Sequence, residues 1–222
     1  TEKIEIESSH PQIPLDETNL AHKAAALFFK TLDIKEGVNI TIEKNIPIAA
    51  GLGGGSSNAA SVLRGLNQQY DFPFTRDRLM ALGLSLGADV PFLLFQRPAL
   101  ASGVGEKLEA YSAYLPKNVL IVHPGFWVST AEVFQNLNLR LTNCKKKITK
   151  LFLMKTGYNV ARHLCNDLEA VTVSKYPEIK LVKEQLIQQG AMGALMSGSG
   201  PTVFGLFSDQ QKAGKAMQTI GL

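Results

Sequence analysis

A glycine-rich segment followed by hydroxyl and amide side chains carries the clearest chemical signal in this sequence. Four of the five residues at positions 51–55 are glycine, and Ser56, Ser57 and Asn58 follow directly. Glycine adopts positive φ angles and lets the backbone approach a ligand without a Cβ in the way. Apolar residues at helical spacing come next, so the loop precedes a helix N-terminus, where N–H groups and the helix dipole favour anions. We therefore predict a phosphate-binding loop.

A simpler alternative for this segment is that Ser56 or Ser57 only N-caps a helix after a flexible turn. The known phosphate-loop patterns do not fit. GxxxxGK[ST] fails because no lysine follows the glycines, and GxGxxG fails because Ser56 stands at the third glycine position. A GxSxG nucleophile pattern is also absent from this loop and from the segment around Ser197–Gly200. The loop is thus predicted to be a phosphate loop of another kind.

Two further segments contain groups suited to phosphate chemistry. Asp89 lies in the predicted turn Gly87–Pro91, and its carboxylate could accept a proton from an attacking hydroxyl. The alternative is that Asp89 only fixes the turn. Ser197–Gly200 joins two predicted strands, and it is either a second ligand-binding loop or a plain glycine hairpin.

Strands and helices must position these groups, and the apolar pattern predicts both. Alternation of apolar and polar residues predicts strands, and apolar stripes at helical spacing predict helices. Mixed strands and single helices are typical of α+β architecture. A change of composition near Leu115–Asn118 predicts a domain boundary between residues 115 and 116. The predicted strands are Lys3–Glu7, Val38 to near Pro47, Val119–Val122, Ala191–Met196 and Thr202–Phe207, and the predicted helices are Leu20–Leu32, the segment after Gly55, Asp77–Leu86, Thr130–Leu137, Val160–Val173, Ile179–Gln189 and Asp209–Ile220.

Length and composition exclude several classes of protein. A chain of 222 residues with 45% hydrophobic and 19% charged residues buries a core, which excludes disordered and collagen-like classes. No apolar run approaches the ~20 residues that span a bilayer. The two cysteines, Cys144 and Cys165, give no CxxC or disulfide-scaffold pattern, so we expect a soluble protein of a reducing compartment.

The net charge of +4 is divided unevenly, with −3 in residues 1–112 and +7 in residues 113–222. This asymmetry indicates either an anionic ligand near the second half or an ordinary solvated basic face. The densest basic cluster, at residues 145–150, lacks the interleaved aromatic residues that single-stranded nucleic acids stack on. No nucleic-acid or membrane partner is therefore expected.

Taken together, these segments resemble the GHMP kinases, a family named for galactokinase, homoserine kinase, mevalonate kinase and phosphomevalonate kinase. The family's nucleotide-binding motif has the form PxxxGLGxSSA, and PIAAGLGGGSSNAA at residues 47–60 corresponds to it. LGADVPF at 86–92, GVGE at 103–106, NDLE at 166–169 and MSGSGPTVF at 196–204 extend the resemblance. The triple glycine followed by SSNAA is similar to one branch of the family, which acts on a cytidine diphosphate ester of methylerythritol.

The resemblance implies a two-domain α+β fold, with a partial ribosomal-S5-like ATP-binding domain at residues 1–115 and a ferredoxin-like domain at 116–222, incomplete at the N-terminus and at the C-terminus. It implies transfer of the ATP γ-phosphoryl group to the 2-hydroxyl of this small-molecule ester, in the non-mevalonate route to isoprenoid precursors. Asp89 would be catalytic, and Ser57 or Ser56 would contact Mg²⁺. No role follows for residues 166–169. The nucleotide-binding residues would be Pro47, Ile48, Ala49, Ala50, Gly51, Leu52, Gly53, Gly54, Gly55, Ser56, Ser57, Ser197, Gly198, Ser199 and Gly200.

One departure from the family pattern leaves alternatives open. The family's opening PxKxN motif, whose lysine works with the aspartate, and the GYH-type segment after it are absent from this sequence. Either the chain is a fragment of a longer kinase, or it is a non-catalytic nucleotide-binding remnant without that lysine. A third alternative is another GHMP kinase with a different acceptor, against which the triple glycine and GADVPF argue. A bacterial cytoplasmic location, or a plastid stroma after loss of a transit segment, is expected.

Overall fold

The computed structural model describes residues 2–111, 118–137, 144 and 160–221. The backbone falls into two compact units. The first comprises Thr1–Pro47 and Gly53–Ser112, and the second comprises Ile48–Leu52 and Ala113–Leu222. The domain boundary expected between residues 115 and 116 lies outside the described residues, so it stays a prediction.

The described residues of the first unit form four helices and two pairs of short strands. β1 (Ile4–Glu7) is parallel to β2 (Val38–Thr41), and β3 (Ala99–Ser102) is antiparallel to β4 (Lys107–Ala110). Asn19 begins the first helix, because its side-chain oxygen accepts a hydrogen bond of 2.9 Å from Ala21 N. The elements in chain order are β1 Ile4–Glu7, α1 Leu20–Leu32, β2 Val38–Thr41, α2 Gly54–Gln69, α3 Arg76–Leu86, α4 Val90–Phe95, β3 Ala99–Ser102 and β4 Lys107–Ala110.

The core of the first unit lies where α1, α2, α3 and α4 pack together. Phe28 and Leu63 are fully buried at its centre. Phe28 makes an edge-to-face contact with Phe74, with ring centroids 5.2 Å apart. The apolar residues 92–95 form part of the short helix α4. Because one face of a helix meets the solvent, Phe92 is 42% exposed.

The described strands of the second unit are β5 (Asn118–Val122), β6 (Gly193–Met196) and β7 (Val203–Phe207), which form an antiparallel sheet in the order β5-β7-β6. Helices α7 (Glu178–Gln188) and α8 (Gln210–Ile220) pack against this sheet. Phe207, Met196 and Ile179 are buried between the sheet and the helices. The elements are β5 Asn118–Val122, α5 Thr130–Gln135, a 3₁₀ turn Val160–His163, α6 Leu168–Lys175, α7 Glu178–Gln188, β6 Gly193–Met196, β7 Val203–Phe207 and α8 Gln210–Ile220.

Most predicted elements are confirmed to within a few residues, and helix Leu20–Leu32 agrees at both ends. The expected helix Val160–Val173 is wrong, because the structure has a 3₁₀ turn, an irregular stretch and then α6. The hairpin of β3 and β4 was not predicted. The basic cluster at residues 145–150 lies outside the described residues.

The two cysteines differ from expectation. Cys144 and Cys165 form a disulfide, with Cα atoms 5.7 Å apart and a sequence separation of 21. Their spacing carries no signal of this pairing, because the contact depends on the fold of the segment between them. Among the helices that the structure describes, none is long and apolar enough to cross a membrane.

Candidate active site

The backbone of the glycine loop takes positive φ angles at every second position. The φ angles are 51° at Ala49, 71° at Gly51 and 66° at Gly53. Alternation of this kind is typical of backbone whose N–H groups converge on a concavity that suits an anion. Glycine supplies the left-handed conformation without strain at two of the three positions. The loop is therefore shaped for a ligand that accepts hydrogen bonds from the main chain.

The first turn of α2 is left open for such a ligand. Gly53 is the N-cap residue, and no side chain accepts a hydrogen bond from the first turn. No acidic residue occurs in that turn. Ser56 and Ser57 lie inside the helix, and Ser57 N donates to Gly53 O at 2.8 Å. The alternative that either serine N-caps α2 is therefore wrong, and the orphan N–H groups of this terminus face no competing cap.

Lys44 adds a positive charge at the same helix end. A Cβ built on Gly54 would lie 2.7 Å from Lys44 Nζ, so the amine lies against the start of α2. Burial lowers the pKa of the Lys44 amine below its usual value of 10.5. No carboxylate pairs with Lys44 among the residues that the structure describes. An anion bound here would compensate for the partial desolvation of this charge.

Asp89 lies at the start of α4, which packs against α2. Leu93, one turn further along α4, approaches within 3.9 Å of where a Gly53 Cβ would lie. The Asp89 carboxylate is exposed and makes no capping hydrogen bond to α4. No capping hydrogen bond therefore supports the alternative that Asp89 only fixes the turn. Within the described part of the chain no donor occupies its oxygens, which can therefore accept a hydrogen bond from a substrate.

The turn between β3 and β4 closes on the segment before Asp89. A Cβ built on Gly105 would lie 3.3 Å from Ala88 O, so the turn backbone lies against Ala88. Glu106 shapes this turn, since its carboxylate accepts a hydrogen bond of 2.7 Å from Val104 N. Hydrogen bonds from its own backbone N–H and then from that of Val104 lower the pKa of Glu106. GVGE at 103–106 thus supports the loop that carries Asp89.

In the second unit, Gly51 packs on the loop Ser197–Gly200. Ser197 Oγ donates a hydrogen bond of 2.8 Å to Gly51 O. A Cβ on Gly51 would lie 2.3 Å from Ser197 O and 2.9 Å from Gly200 O. A Cβ on Gly198 would lie 3.2 Å from Gly51 O. Glycine is therefore required at position 51 by close backbone contact as well as by its φ angle.

The loop Ser197–Gly200 is more than a hairpin, because side chains from two helices hold it. Thr172 Oγ1 donates to Ser199 O at 3.1 Å. The hydroxyls of Ser199 and Thr130 lie 2.8 Å apart. Among the described residues, the backbone N–H groups of Gly198 and Ser199 have no hydrogen-bond partner. Two main-chain donors are thus available in this loop, as in the first turn of α2.

The donor set around the loop suits a phosphate better than a protein-bound metal. In the described parts of the chain, only Cys144, Cys165 and Asp167 cluster as three potential metal ligands. The two sulfurs of that cluster are joined to each other, so neither is a thiolate.

Ser57 lines a cavity of about 350 Å³ together with Arg64 and Phe92. Its hydroxyl is the kind of oxygen that Mg²⁺ accepts beside phosphate oxygens.

The structure brings some predicted site residues together and adds one that the sequence did not indicate. It joins Gly51 to Ser197–Gly200 in the second unit, whereas Asp89 and residues 53–57 belong to the first. Lys44 was missed because an isolated lysine before a loop has no distinctive pattern. Its position three residues before Pro47 was the only available signal.

A helix start without a side-chain cap follows the glycine loop, Lys44 lies against it, and the exposed Asp89 begins a helix that packs on the same helix. This arrangement is typical of a phosphoryl-transfer class of protein. The GHMP kinase N-terminal domain matches residues 19–97, and the GHMP kinase C-terminal domain matches residues 153–220. These matches cover more than half of the chain, and the chain belongs to the GHMP kinase family.

Among its relatives is the 4-diphosphocytidyl-2-C-methyl-D-erythritol kinase of Clostridioides difficile, 46% identical over 219 residues, or 96% of this chain and 73% of the relative. The enzyme of the same name from Syntrophotalea carbinolica is 46% identical over 217 residues, or 98% of this chain and 77% of the relative.

Solved structures agree with this relationship. A crystal structure of 4-(cytidine 5'-diphospho)-2C-methyl-D-erythritol kinase is 33% identical, with a TM-score of 0.75, and covers 98% of this chain and 78% of that one. Homoserine kinase from Cytophaga hutchinsonii has the same TM-score at 22% identity, covering 98% of this chain and 79% of that one. At that identity the second match supports the fold alone. The two-domain GHMP fold expected from the sequence is confirmed.

Proposed function

We propose that this protein transfers the γ-phosphoryl group of ATP to the 2-hydroxyl of 4-diphosphocytidyl-2-C-methyl-D-erythritol, a step of isoprenoid precursor biosynthesis. The observation that carries phosphoryl transfer is the uncapped, acid-free first turn of α2 beside Lys44. The choice of acceptor rests on relatives of that name at 46% identity over nearly the whole chain. The cytoplasmic or plastid location expected from the sequence belongs to the same proposal.

Binding of the triphosphate is assigned to main-chain donors. The N–H groups of residues 53–56 in the first unit, and those of Gly198 and Ser199 in the second, would donate to phosphate oxygens, with residues 47–52 shaping the backbone. Lys44 would pair with the same negative charge. Because these donors are held by the backbone, they need no reorganisation when charge develops on the transferred group.

Asp89 is assigned to the acceptor hydroxyl. Its carboxylate would accept the hydroxyl proton as the acceptor oxygen bonds to the γ-phosphorus and the bond from that phosphorus to the β-γ bridging oxygen breaks, with ADP leaving. A free, exposed carboxylate suits this role because it can reach a substrate proton without giving up a structural bond. Mg²⁺ would be held by phosphate oxygens and the Ser57 hydroxyl, and when bound it supplies charge neutralisation on the phosphates.

Two alternatives are separated by one experiment. The first alternative is a kinase that phosphorylates a different acceptor. The similarity to homoserine kinase supports the fold alone and does not favour that acceptor. A non-catalytic nucleotide-binding remnant is the second, motivated by the lack of a PxKxN motif in this sequence. The full-length protein should be assayed by coupled ADP release with the cytidyl substrate, mevalonate, galactose and homoserine in parallel.

ADP release with the cytidyl substrate alone is the expected result. ADP release with one of the other acceptors instead would overturn the substrate assignment but leave the assignment as a kinase intact. ATP binding without turnover on any acceptor would favour the remnant.

A further inference from the structure

Asn166 makes three hydrogen bonds immediately before α6. Its Oδ1 accepts from Leu168 N at 3.0 Å, and its Nδ2 donates to Met196 O at 2.9 Å and to Gly198 O at 2.7 Å. The acceptor and both donors of the amide are therefore used. The pattern also fixes the orientation of the amide, since an N–H group faces one end and two carbonyl oxygens face the other. These bonds explain why the helix expected from residue 160 begins only at Leu168.

The two carbonyl groups held by Asn166 flank Ser197, within the candidate phosphate loop. In a planar trans peptide, the carbonyl of one residue and the N–H of the next point in opposite directions. Because Asn166 binds the Gly198 carbonyl, the N–H of Ser199 points away from Asn166. That N–H has no partner among the described residues. In the next peptide, Thr172 holds the Ser199 carbonyl, and Gly200 N donates to Ser197 O at 2.9 Å.

Glu169, one turn beyond Asn166, strengthens the same attachment. Its Oε2 accepts a hydrogen bond of 3.0 Å from Met196 N, and its Oε1 pairs with Lys183. Met196 is therefore held at its N–H by Glu169 and at its carbonyl by Asn166. The loop begins from a residue with both backbone groups fixed, so its geometry is set before any ligand arrives.

We propose that Asn166 is a positioning residue for phosphoryl transfer, which fixes the Gly198–Ser199 peptide so that the Ser199 N–H donates to a nucleotide phosphate. This inference rests on the proposed function and assigns a role within the site. An aspartate is nearly the same size but would place a carboxylate oxygen against two carbonyl oxygens. Asn166→Asp should therefore turn the peptide without opening a cavity, whereas Asn166→Ala removes the contacts without repulsion.

The test measures binding of a non-hydrolysable ATP analogue to the full-length protein by titration calorimetry. Asn166→Asp should weaken binding by about 10- to 100-fold, the loss expected for a misplaced donor to an anion, and Asn166→Ala by less. Asn136→Asp is the matched control, since Asn136 is an exposed amide of the same unit with one backbone bond. As the pH falls and the new carboxyl protonates, Asn166→Asp should regain a donor and recover affinity relative to the wild type.

A second measurement covers the case in which the variants do not fold. In the wild type, the ¹⁵N-¹H signal of Ser199 should shift downfield when the analogue binds. An unmoved Ser199 signal, or unchanged affinity in Asn166→Asp, overturns the inference while leaving the proposed function intact. A wild type that does not bind the analogue overturns both, and a wild type that binds it but phosphorylates another acceptor overturns only the proposed substrate.

Discussion

Ser197 Oγ donates a hydrogen bond of 2.8 Å to the carbonyl oxygen of Gly51, 146 residues earlier in the chain. The same carbonyl lies 3.2 Å from where a Gly198 Cβ would be, so two glycines meet backbone to backbone. Gly51 and Gly198 both have positive φ angles. The backbone at Gly51 therefore packs directly against the backbone at Gly198. A side chain at position 51 cannot be accommodated unless one of these two segments moves.

Gly51→Ala should disrupt this arrangement. The new Cβ would lie 2.3 Å from Ser197 O, and alanine at a φ of 71° adds strain of about 1–2 kcal/mol. We expect the free energy of unfolding to fall by about 2–4 kcal/mol and the affinity for an ATP analogue to fall at least about tenfold. Urea unfolding and calorimetric titration would measure the two effects.

Gly65→Ala is the control for the glycine substitution. Gly65 is exposed on α2, and nothing lies within 4 Å of its Cβ position. Alanine there should raise the free energy of unfolding by about 0.5–1 kcal/mol, because glycine is the poorer helix former. Nucleotide affinity should not change. If Gly51→Ala and Gly65→Ala change the free energy of unfolding and the nucleotide affinity equally, the backbone contact at Gly51 is contradicted.

Asp89→Asn should separate catalysis from binding. The amide keeps the shape of the side chain but cannot accept the acceptor proton, so kcat should fall by about 10²–10⁴-fold. The KM for ATP and the unfolding midpoint should stay near the wild-type values, because the carboxylate makes no capping bond. Asp71→Asn, at an exposed position where asparagine also tolerates the φ of 57°, should leave kcat unchanged. Near-normal turnover of Asp89→Asn would refute the catalytic assignment.

Lys44→Gln should weaken ATP binding by about 5- to 50-fold, because the partly desolvated charge proposed to pair with the phosphates is lost. Burial lowers the pKa of Lys44, so the wild-type affinity should fall as the pH rises towards the usual value of 10.5 and the amine becomes neutral. Lys44→Gln should lack that decline. Lys35→Gln, at an exposed lysine of the same unit, should behave as the wild type. If the ATP affinity of Lys44→Gln falls equally steeply at alkaline pH, the decline in the wild type belongs to another titrating group.

Local signals allowed much of the fold to be predicted. Helix Leu20–Leu32 was correct at both ends because Asn19 provides a cap and the apolar stripe is continuous. The start of α2 was harder to predict, because serine is a common N-cap residue and two serines lie nearby. The actual N-cap is Gly53, which has no side chain that could signal the position. The hairpin Ala99–Ser102 with Lys107–Ala110 was missed because strands of four residues carry too little alternation.

The candidate site depended on information that no local pattern contains. The glycine loop and Asp89 could be selected from composition and family resemblance. Lys44 and Asn166 could not be given roles, because these depend on which backbone groups the folded chain brings beside them. The disulfide between Cys144 and Cys165 is a similar case, since its partners meet only after the intervening segment folds.

Tyr70 provides a test of the first unit that is independent of catalysis. Its hydroxyl donates to the Glu36 carboxylate, and this hydrogen bond, followed by desolvation and the Glu36 charge, raises the pKa of Tyr70 from 10.0 to about 12. A raised phenol pKa means that the bond stabilises the fold fully below pH 10 and that this contribution is lost as the pH rises towards 12. The stability difference between the wild type and Tyr70→Phe should therefore shrink across this window.

Ultraviolet absorbance of the phenolate would follow the titration directly. The wild type should show a late phenol titration that Tyr70→Phe lacks. Glu36→Gln keeps an acceptor but removes the negative charge, so the late titration should move back towards the ordinary value. Tyr70 also packs its ring against Phe28, with centroids 5.8 Å apart, and Tyr70→Phe retains that contact. A difference between wild type and Tyr70→Phe that stays constant with pH would place its origin in ring packing rather than in the bond to Glu36.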